Sequence, residues 1–353
     1  MNMRFPGWAG TEQRRRTQQS YKKYMKKTLK AILALSMLSP LLPAPVSAAG
    51  RSVYGSDDRR ELFDASPAER LLADSVVSLW RSENVMENRP ARKFTLDTTS
   101  FSEDLDLCSG ERFEEQPRGD DLCSGSLVGG DLVMTAGHCV NDQAKCDNLK
   151  VVFGFAIKNS GAGAPPTIGA EDVYSCKNIV ARAKVMDGPD YALIRLDRTV
   201  AGHKPLEINR AGSLKKGAKV LLIGHPVGLP LKLAGGAAVR DVLPQGYFVA
   251  DLDSFGGNSG SPVFNEATGL IEGILIRGGE DFEMAPEGCM TMAVNPQNGG
   301  RGEDVSSVSA LLSFIPALTK GQSSAAVNVR DVKVTETPVK QADLSRYFNA
   351  AFR

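Results

Sequence analysis

Little in this 353-residue chain is present to excess. Its formal net charge is only +1, so no basic field marks a nucleic-acid partner. No apolar run reaches the ~20 residues of a membrane-spanning helix, which excludes a polytopic membrane protein. No repeat recurs at a fixed period, and a collagen-like repeat is excluded. Six cysteines are too few for a small disulfide scaffold at this length, and no Cys/His spacing suits a zinc site. The hydrophobic fraction, 42%, is that of an ordinary globular protein and excludes intrinsic disorder. At ~150 residues per domain, the length allows roughly two domains.

The low net charge hides an uneven distribution. Residues 1–48 hold nine Lys/Arg and a single acid, Glu12. They are followed by the apolar stretch Ala31-Ile-Leu-Ala-Leu-Ser-Met-Leu38 and by Pro40-Leu-Leu-Pro-Ala-Pro-Val-Ser-Ala-Ala49. A basic n-region, a short h-region and a small-residue site at Val46-Ser47-Ala48 predict a secretory signal peptide over 1–48. Met25, which opens Met-Lys-Lys-Thr-Leu-Lys30, is the expected true start. Without residues 1–48 the chain has 33 bases against 40 acids, a net of −7. Export also makes disulfides the expected state of the six cysteines, all of which follow the signal. The expected location is therefore secreted, extracellular or periplasmic.

From about Ser75 to Leu312, short apolar runs are broken by Gly, Pro, Asn and Asp. Leu132-Val-Met-Thr135, Tyr191-Ala-Leu-Ile-Arg-Leu196 and Val220-Leu-Leu-Ile-Gly224 are examples. Such runs are too short for helices and rich in β-branched residues, so they predict an all-β sandwich or barrel. Over 305–318, Val308, Leu311, Leu312 and Ile315 fall at helical spacing and predict a closing helix. Residues 49–72 read as an N-terminal segment or short propeptide, 73–319 as the main domain, and 320–353 as a linker and tail. The tail's amphipathic end carries Leu344, Tyr347 and Phe348.

Three motifs carry chemistry. In Met134-Thr-Ala-Gly-His138-Cys139, a His follows a predicted strand and is pinned by a neighbouring Cys, as a general base of fixed orientation requires. In Asp190-Tyr-Ala-Leu-Ile-Arg-Leu196, an Asp opens an apolar strand, a poor place for a solvated charge. It is a good place to accept from an imidazole N–H and set its tautomer. In Asp253-Ser-Phe-Gly-Gly-Asn-Ser259-Gly-Ser-Pro262, a Ser follows a glycine pair able to take positive φ. The backbone N–H groups of Gly257 and Ser259 can then converge as an oxyanion hole. The competing assignments are Asp187 for the acid and Ser261 for the nucleophile. His203 and His225 have no partner motif and read as loop or surface histidines.

With these motifs in this order, the sequence resembles a chymotrypsin-fold (trypsin-like) serine endopeptidase from about Leu72 to Leu318. The Gly-Gly-Asn-Ser-Gly-Ser-Pro form, and Val53-Tyr-Gly-Ser-Asp-Asp-Arg59, are similar to a bacterial branch that includes the glutamyl endopeptidases. The resemblance implies two six-stranded antiparallel β-barrels, roughly 73–200 and 205–303, with the active site between them and a C-terminal helix over 305–318. It implies His138 as general base, Asp190 as its orienting acid, Ser259 as nucleophile, and an acyl-enzyme intermediate. No metal or organic cofactor is required. The expected partners are protein or peptide substrates, with no nucleic acid, no membrane after signal cleavage and a monomeric state. The 16-residue interval between Cys123 and Cys139 matches the family's disulfide beside the catalytic His. Cys108, Cys146, Cys176 and Cys289 allow three pairings, of which Cys108–Cys146 with Cys176–Cys289 is preferred.

Specificity reads less directly. Asp253 stands six residues before Ser259, where trypsin-like enzymes keep the carboxylate of the substrate pocket, with Ser254 beside it. That implies a preference for a basic residue before the scissile bond; the alternative is that Asp253 caps the strand-to-loop transition. Acidic preference in the glutamyl branch needs a His on the strand after the nucleophile. Gly273-Ile-Leu-Ile-Arg-Gly-Gly279 has none, although Arg277 offers a cation from the wall. Asn258 replaces the Asp that pairs with a freed N-terminal amine in chymotrypsin-like zymogens, and an amide cannot form that ion pair. The rival function is a catalytically inactive secreted homologue that serves as a binding module, which loss of a triad member would mark; none is lost. A third reading is hydrolysis of esters alone.

Overall fold

The computed structural model describes residues 51–319 apart from Asp121 and Ser213. The predicted signal peptide and the tail after Thr319, including Leu344, Tyr347 and Phe348, lie outside the described residues.

Twelve strands build two antiparallel barrels. The first holds β1 (Val76–Arg81), β2 (Cys123–Gly129), β3 (Leu132–Thr135), β4 (Leu149–Phe153), β5 (Val173–Lys184) and β6 (Asp190–Leu196). These close in the order β4-β5-β6-β3-β2-β1. The second holds β7 (Lys219–Gly224), β8 (Lys232–Leu243), β9 (Tyr247–Ala250), β10 (Pro262–Asn265), β11 (Ile271–Arg277) and β12 (Glu303–Ser307). It runs β7-β10-β11-β12-β9-β8 and closes through a β7–β8 pairing. Closure leaves no open sheet edge, and inward positions alternate with outward ones along each strand. Val220, Leu222, Phe248, Val263, Leu275 and Val305 thereby form one continuous core inside the second barrel. The predicted all-β double barrel is the observed architecture.

The helix expected over 305–318 is not formed. Residues Glu303–Ser307 are strand β12, followed only by the 3₁₀ turn Val308–Leu311. The helical spacing of Val308, Leu311 and Ile315 is real, but Val305 is needed in the barrel core and β12 pairs with both β9 and β11. Tertiary pairing overrides the local pattern there.

The segment read as a short propeptide is woven into the second barrel. Val53–Tyr54 pairs in parallel with Val294–Asn295, and Arg59–Glu61 adds a seventh strand against β8. Helix α1 (Pro67–Ala73) follows, with Ser66 and Glu69 forming a capping box and Pro67 in its first turn.

Three disulfides staple the fold, and the preferred pairing of four cysteines is corrected. Cys123–Cys139 is present as expected, but the others are Cys108–Cys289 and Cys146–Cys176. Cys146 lies on the short helix Gln143–Asp147, which packs on β5 and faces Cys176. Cys108 is brought to Cys289 by a parallel bridge, in which its N–H donates to the Met290 carbonyl at 2.9 Å. Both contacts join segments far apart in sequence, so spacing alone does not reveal them.

Candidate active site

His138 leaves the end of β3 on a tight turn. Gly137 is required there: a side chain would come within 2.7 Å of the Tyr191 carbonyl and 2.8 Å of Asp190 Oδ1. Asp190, the first residue of β6, holds that turn at two points. Its Oδ2 lies 2.8 Å from His138 Nδ1, and its Oδ1 accepts the His138 backbone N–H at 3.0 Å. The Asp190 N–H in turn donates to Ser306 Oγ of the second barrel at 3.3 Å. Asp190 is 3% exposed. Burial pushes its pKa up, but the hydrogen bond and charge of His138 and the N–H groups of His138 and Gly137 outweigh this, leaving it below the usual carboxylate value. An ionised Asp190 against Nδ1–H leaves Nε2 as the basic nitrogen. The competitor Asp187 is exposed.

Ser259 sits across the junction of the barrels from these groups. Its carbonyl accepts the Ser124 N–H at 2.8 Å and lies 3.7 Å from Cys139 Sγ, so the Cys123–Cys139 disulfide wedges it against the His138 turn. Among the described residues neither His138 Nε2 nor Ser259 Oγ has a hydrogen-bond partner, so both are free to meet each other or a substrate. Ser261, the alternative nucleophile, is fully buried and bonded to Asn258 Oδ1 at 3.3 Å.

The loop before Ser259 is held by its carbonyls. Gly256 O accepts from Val227 N–H, and Asn258 O accepts from Ser261 N–H. In a trans peptide the N–H points opposite to the C=O, so fixing these two carbonyls turns the N–H groups of Gly257 and Ser259 the other way. Among the described residues neither N–H has a partner. Such a pair of free donors can stabilise a tetrahedral oxyanion. Gly257 takes φ +84°, and a side chain there would reach within 2.5 Å of the His225 carbonyl. Ser124, which the motifs did not single out, locks the same loop: its Oγ donates to Gly257 O at 2.9 Å and accepts from His225 N–H at 3.0 Å.

The remaining candidates fall into place around this centre. Asn258 is buried, and its amide donates to Ser254 Oγ at 3.4 Å, a neutral contact where zymogens place an ion pair. His225 is buried and stacked on Phe155; burial pushes its pKa down to about 4, so it stays neutral. His203 is not a free loop histidine. It stacks on Phe153 and reaches Asp74 and Asp172 at 3.1 Å each. Cys123, His138 and Cys139 put three ligand atoms within 4.8 Å of one another, but both sulfurs are spent in the disulfide.

A cavity of about 200 Å³ opens beside Ser259, walled by Ser254, Phe255 and Gly256 on one side and by Ile276 and Gly278 on the other. Ser254 is in the lining of this cavity. Asp253 is not: its carboxylate accepts the N–H groups of Tyr54 at 2.8 Å and Asp58 at 2.6 Å, outside the cavity lining. Its role as a pocket carboxylate is corrected to that of an anchor for the N-terminal segment. Arg277 lines the wall, with its Nε committed to Asp304 at 2.8 Å.

Residues 123–274, which carry His138, Asp190 and Ser259, match the family model of the trypsin-like peptidase domain. Over that stretch the chain is similar to trypsin-like peptidases. The match supports a serine protease, and the trypsin-like stretch runs from β2 of the first barrel into β11 of the second. No curated protein matches the chain. Similar solved structures include the Rv3671c protease from M. tuberculosis in its active form, at 16% identity, with 83% of this chain and 100% of that one covered and a TM-score of 0.41. The inactive form of that protease aligns at 17% identity over 71% of this chain and 93% of its own, with a TM-score of 0.38.

Proposed function

We propose that the protein is an exported serine endopeptidase. The observation that carries this is the geometry of the site: a buried Asp190 fixing His138 through Nδ1, and a Ser259 whose carbonyl lies 3.7 Å from the neighbouring Cys139 Sγ and whose Oγ and N–H, with the Gly257 N–H, have no partner among the described residues. In this reading His138 Nε2 takes the proton from Ser259 Oγ as it attacks the scissile carbonyl. The oxyanion forms against the N–H groups of Gly257 and Ser259. His138 then returns its proton to the leaving amine, and water hydrolyses the acyl-enzyme. A preference for a basic residue before the scissile bond no longer has the support of Asp253, and rests instead on the acids that line the cavity beside Ser259.

Three disulfides are compatible with an oxidising compartment, and among the described residues no helix is long and apolar enough to cross a membrane. The basic leader and small-residue site at 46–48 support export. We place the chain near the bacterial branch that resembles the glutamyl endopeptidases, on Val53-Tyr-Gly-Ser-Asp-Asp-Arg59 and the Gly-Gly-Asn-Ser-Gly-Ser-Pro loop. Its wall strand lacks the His of that branch's acidic preference.

The test is labelling with a serine-reactive phosphonate together with cleavage of a peptide library, comparing wild type with Ser259→Ala. Labelling and cleavage are expected in the wild type only. Equal labelling in the variant overturns the nucleophile, and a folded wild type that neither labels nor cleaves points to a binding module.

A further inference from the structure

The floor of the cavity beside Ser259 carries two carboxylates, Glu303 and Asp281. Glu303, at the start of β12, is 1% exposed. Its Oε1 accepts the Tyr54 hydroxyl at 3.1 Å, and the Gly279 N–H also donates to the carboxylate. Gly278 is what lets the acid reach the cavity, because a side chain there would collide with Glu303 Oε2. Asp281 is held on both oxygens, by Ser52 Oγ and by the Gly256 N–H, each at 2.7 Å.

Among the described residues neither acid forms an ion pair, although the Arg59 charge reaches Asp281. The arginines around the pocket pair with other acids, Arg59 with Asp57, Arg51 with Glu283, and Arg277 and Arg301 both with Asp304, while Arg59 Nη1 and Arg277 Nη2 are buried without a hydrogen-bond partner among the described residues. A buried carboxylate without a counter-ion is expensive, because desolvation is not offset by an opposite charge. Burial, joined by the charges of Asp281 and Asp304, pushes Glu303 up to about 8 against the hydrogen bonds from Tyr54 and Gly279. Burial likewise raises Asp281. A cationic side chain entering the cavity supplies the counter-charge that Glu303 lacks, and the charge-assisted contact is strengthened by exclusion of water.

We infer that Glu303, seconded by Asp281, sets the side-chain preference of this site, and that the cavity takes a lysine or arginine side chain of a peptide substrate. The inference rests on the proposed peptidase function and moves the specificity carboxylate from Asp253, outside the cavity, to Glu303 in its lining. The N-terminal segment becomes part of the specificity apparatus, since Tyr54 positions Glu303 and Ser52 positions Asp281.

The experiment compares four peptides that differ only in lysine, arginine, norleucine or glutamate before the scissile bond. The readout is the ratio of kcat/KM values within one preparation, which does not depend on the fraction of enzyme that is folded. Wild type is expected to favour lysine or arginine over norleucine by about 100-fold, the discrimination a desolvated charge pair supplies. Glu303→Gln is expected to collapse that ratio, Glu303→Asp to keep part of it, and Asp253→Asn to leave it in place. Wild-type preference for norleucine or glutamate overturns the inference, as does a ratio that survives Glu303→Gln or is lost in Asp253→Asn instead. Phosphonate labelling of Ser259 separates the two levels. A labelled enzyme without cationic preference sinks the specificity claim alone, whereas an unlabelled, inactive protein sinks the peptidase reading itself.

Discussion

Replacing Asp190 by Asn tests the core of the catalytic reading at almost constant shape. The carboxylate makes two contacts, to His138 Nδ1 at 2.8 Å and to the His138 backbone N–H at 3.0 Å. An Asn can keep the second through its carbonyl oxygen, but then presents an NH₂ donor to Nδ1. The imidazole must shift its proton to Nε2 to accept from that donor, and Nε2 can then no longer take a proton from Ser259. The imidazolium formed during attack also loses its counter-charge. With charge centres roughly 4 Å apart at an effective dielectric of ~20, that interaction is worth about 4 kcal/mol. At 1.36 kcal/mol per decade of rate, the expected loss in kcat is about 10³-fold, and more if the tautomer is fully inverted. The assay is kcat/KM on one good peptide substrate, with the near-ultraviolet spectrum and melting curve showing that the barrels are intact. A loss of less than about tenfold in a folded variant would refute the argument, because it would mean that neither the tautomer nor the counter-charge at Nδ1 matters.

Gly257→Ala places a side chain at φ +84°, within 2.5 Å of the His225 carbonyl, and displaces one oxyanion donor. A kcat loss of about 10²–10³-fold together with a lowered melting temperature is expected, the assays being run on the folded variant well below its transition. His203 gives a pH signature in stability. Burial lowers its pKa, but the bonds to Asp172 and Asp74 win and lift it to about 9 in the fold. Since this lies above the unfolded value of ~6.5, the stabilisation is complete below that pH and is lost as pH rises through about 9. Denaturant titrations at pH 6 and pH 10 should differ by on the order of 2 kcal/mol more in wild type than in His203→Gln. An identical pH dependence in the two proteins counts against the clamp.

Much of this molecule is legible without its coordinates, for a local reason. A strand announces itself by alternation, and each candidate catalytic motif packs its chemistry into a few neighbouring residues. His138 comes with its glycine turn and staple, Asp190 with its apolar strand, and Ser259 with its positive-φ glycines. What escapes is whatever depends on a partner distant in the chain. Val308, Leu311 and Ile315 spell a helix locally, yet residues 303–307 are claimed as a strand by β9 and β11. Asp253 has the right offset from Ser259, but Tyr54 and Asp58, 199 and 195 residues away, take both its oxygens.

The sequence by itself determined the all-β class, the three motifs that hold the candidate catalytic residues and the uneven charge that an almost neutral sum conceals, while the Cys123–Cys139 staple was implied by the family resemblance. Only the tertiary structure decided the other two disulfides, the weaving of residues 51–61 into the second barrel, and which acid faces the pocket. The division follows from reach. Backbone conformation and strand pattern are set by near neighbours, but the fate of a charge is set by whichever groups the fold brings to it. Glu303 is left without a cation because Asp304, its neighbour in the chain, has taken both Arg277 and Arg301.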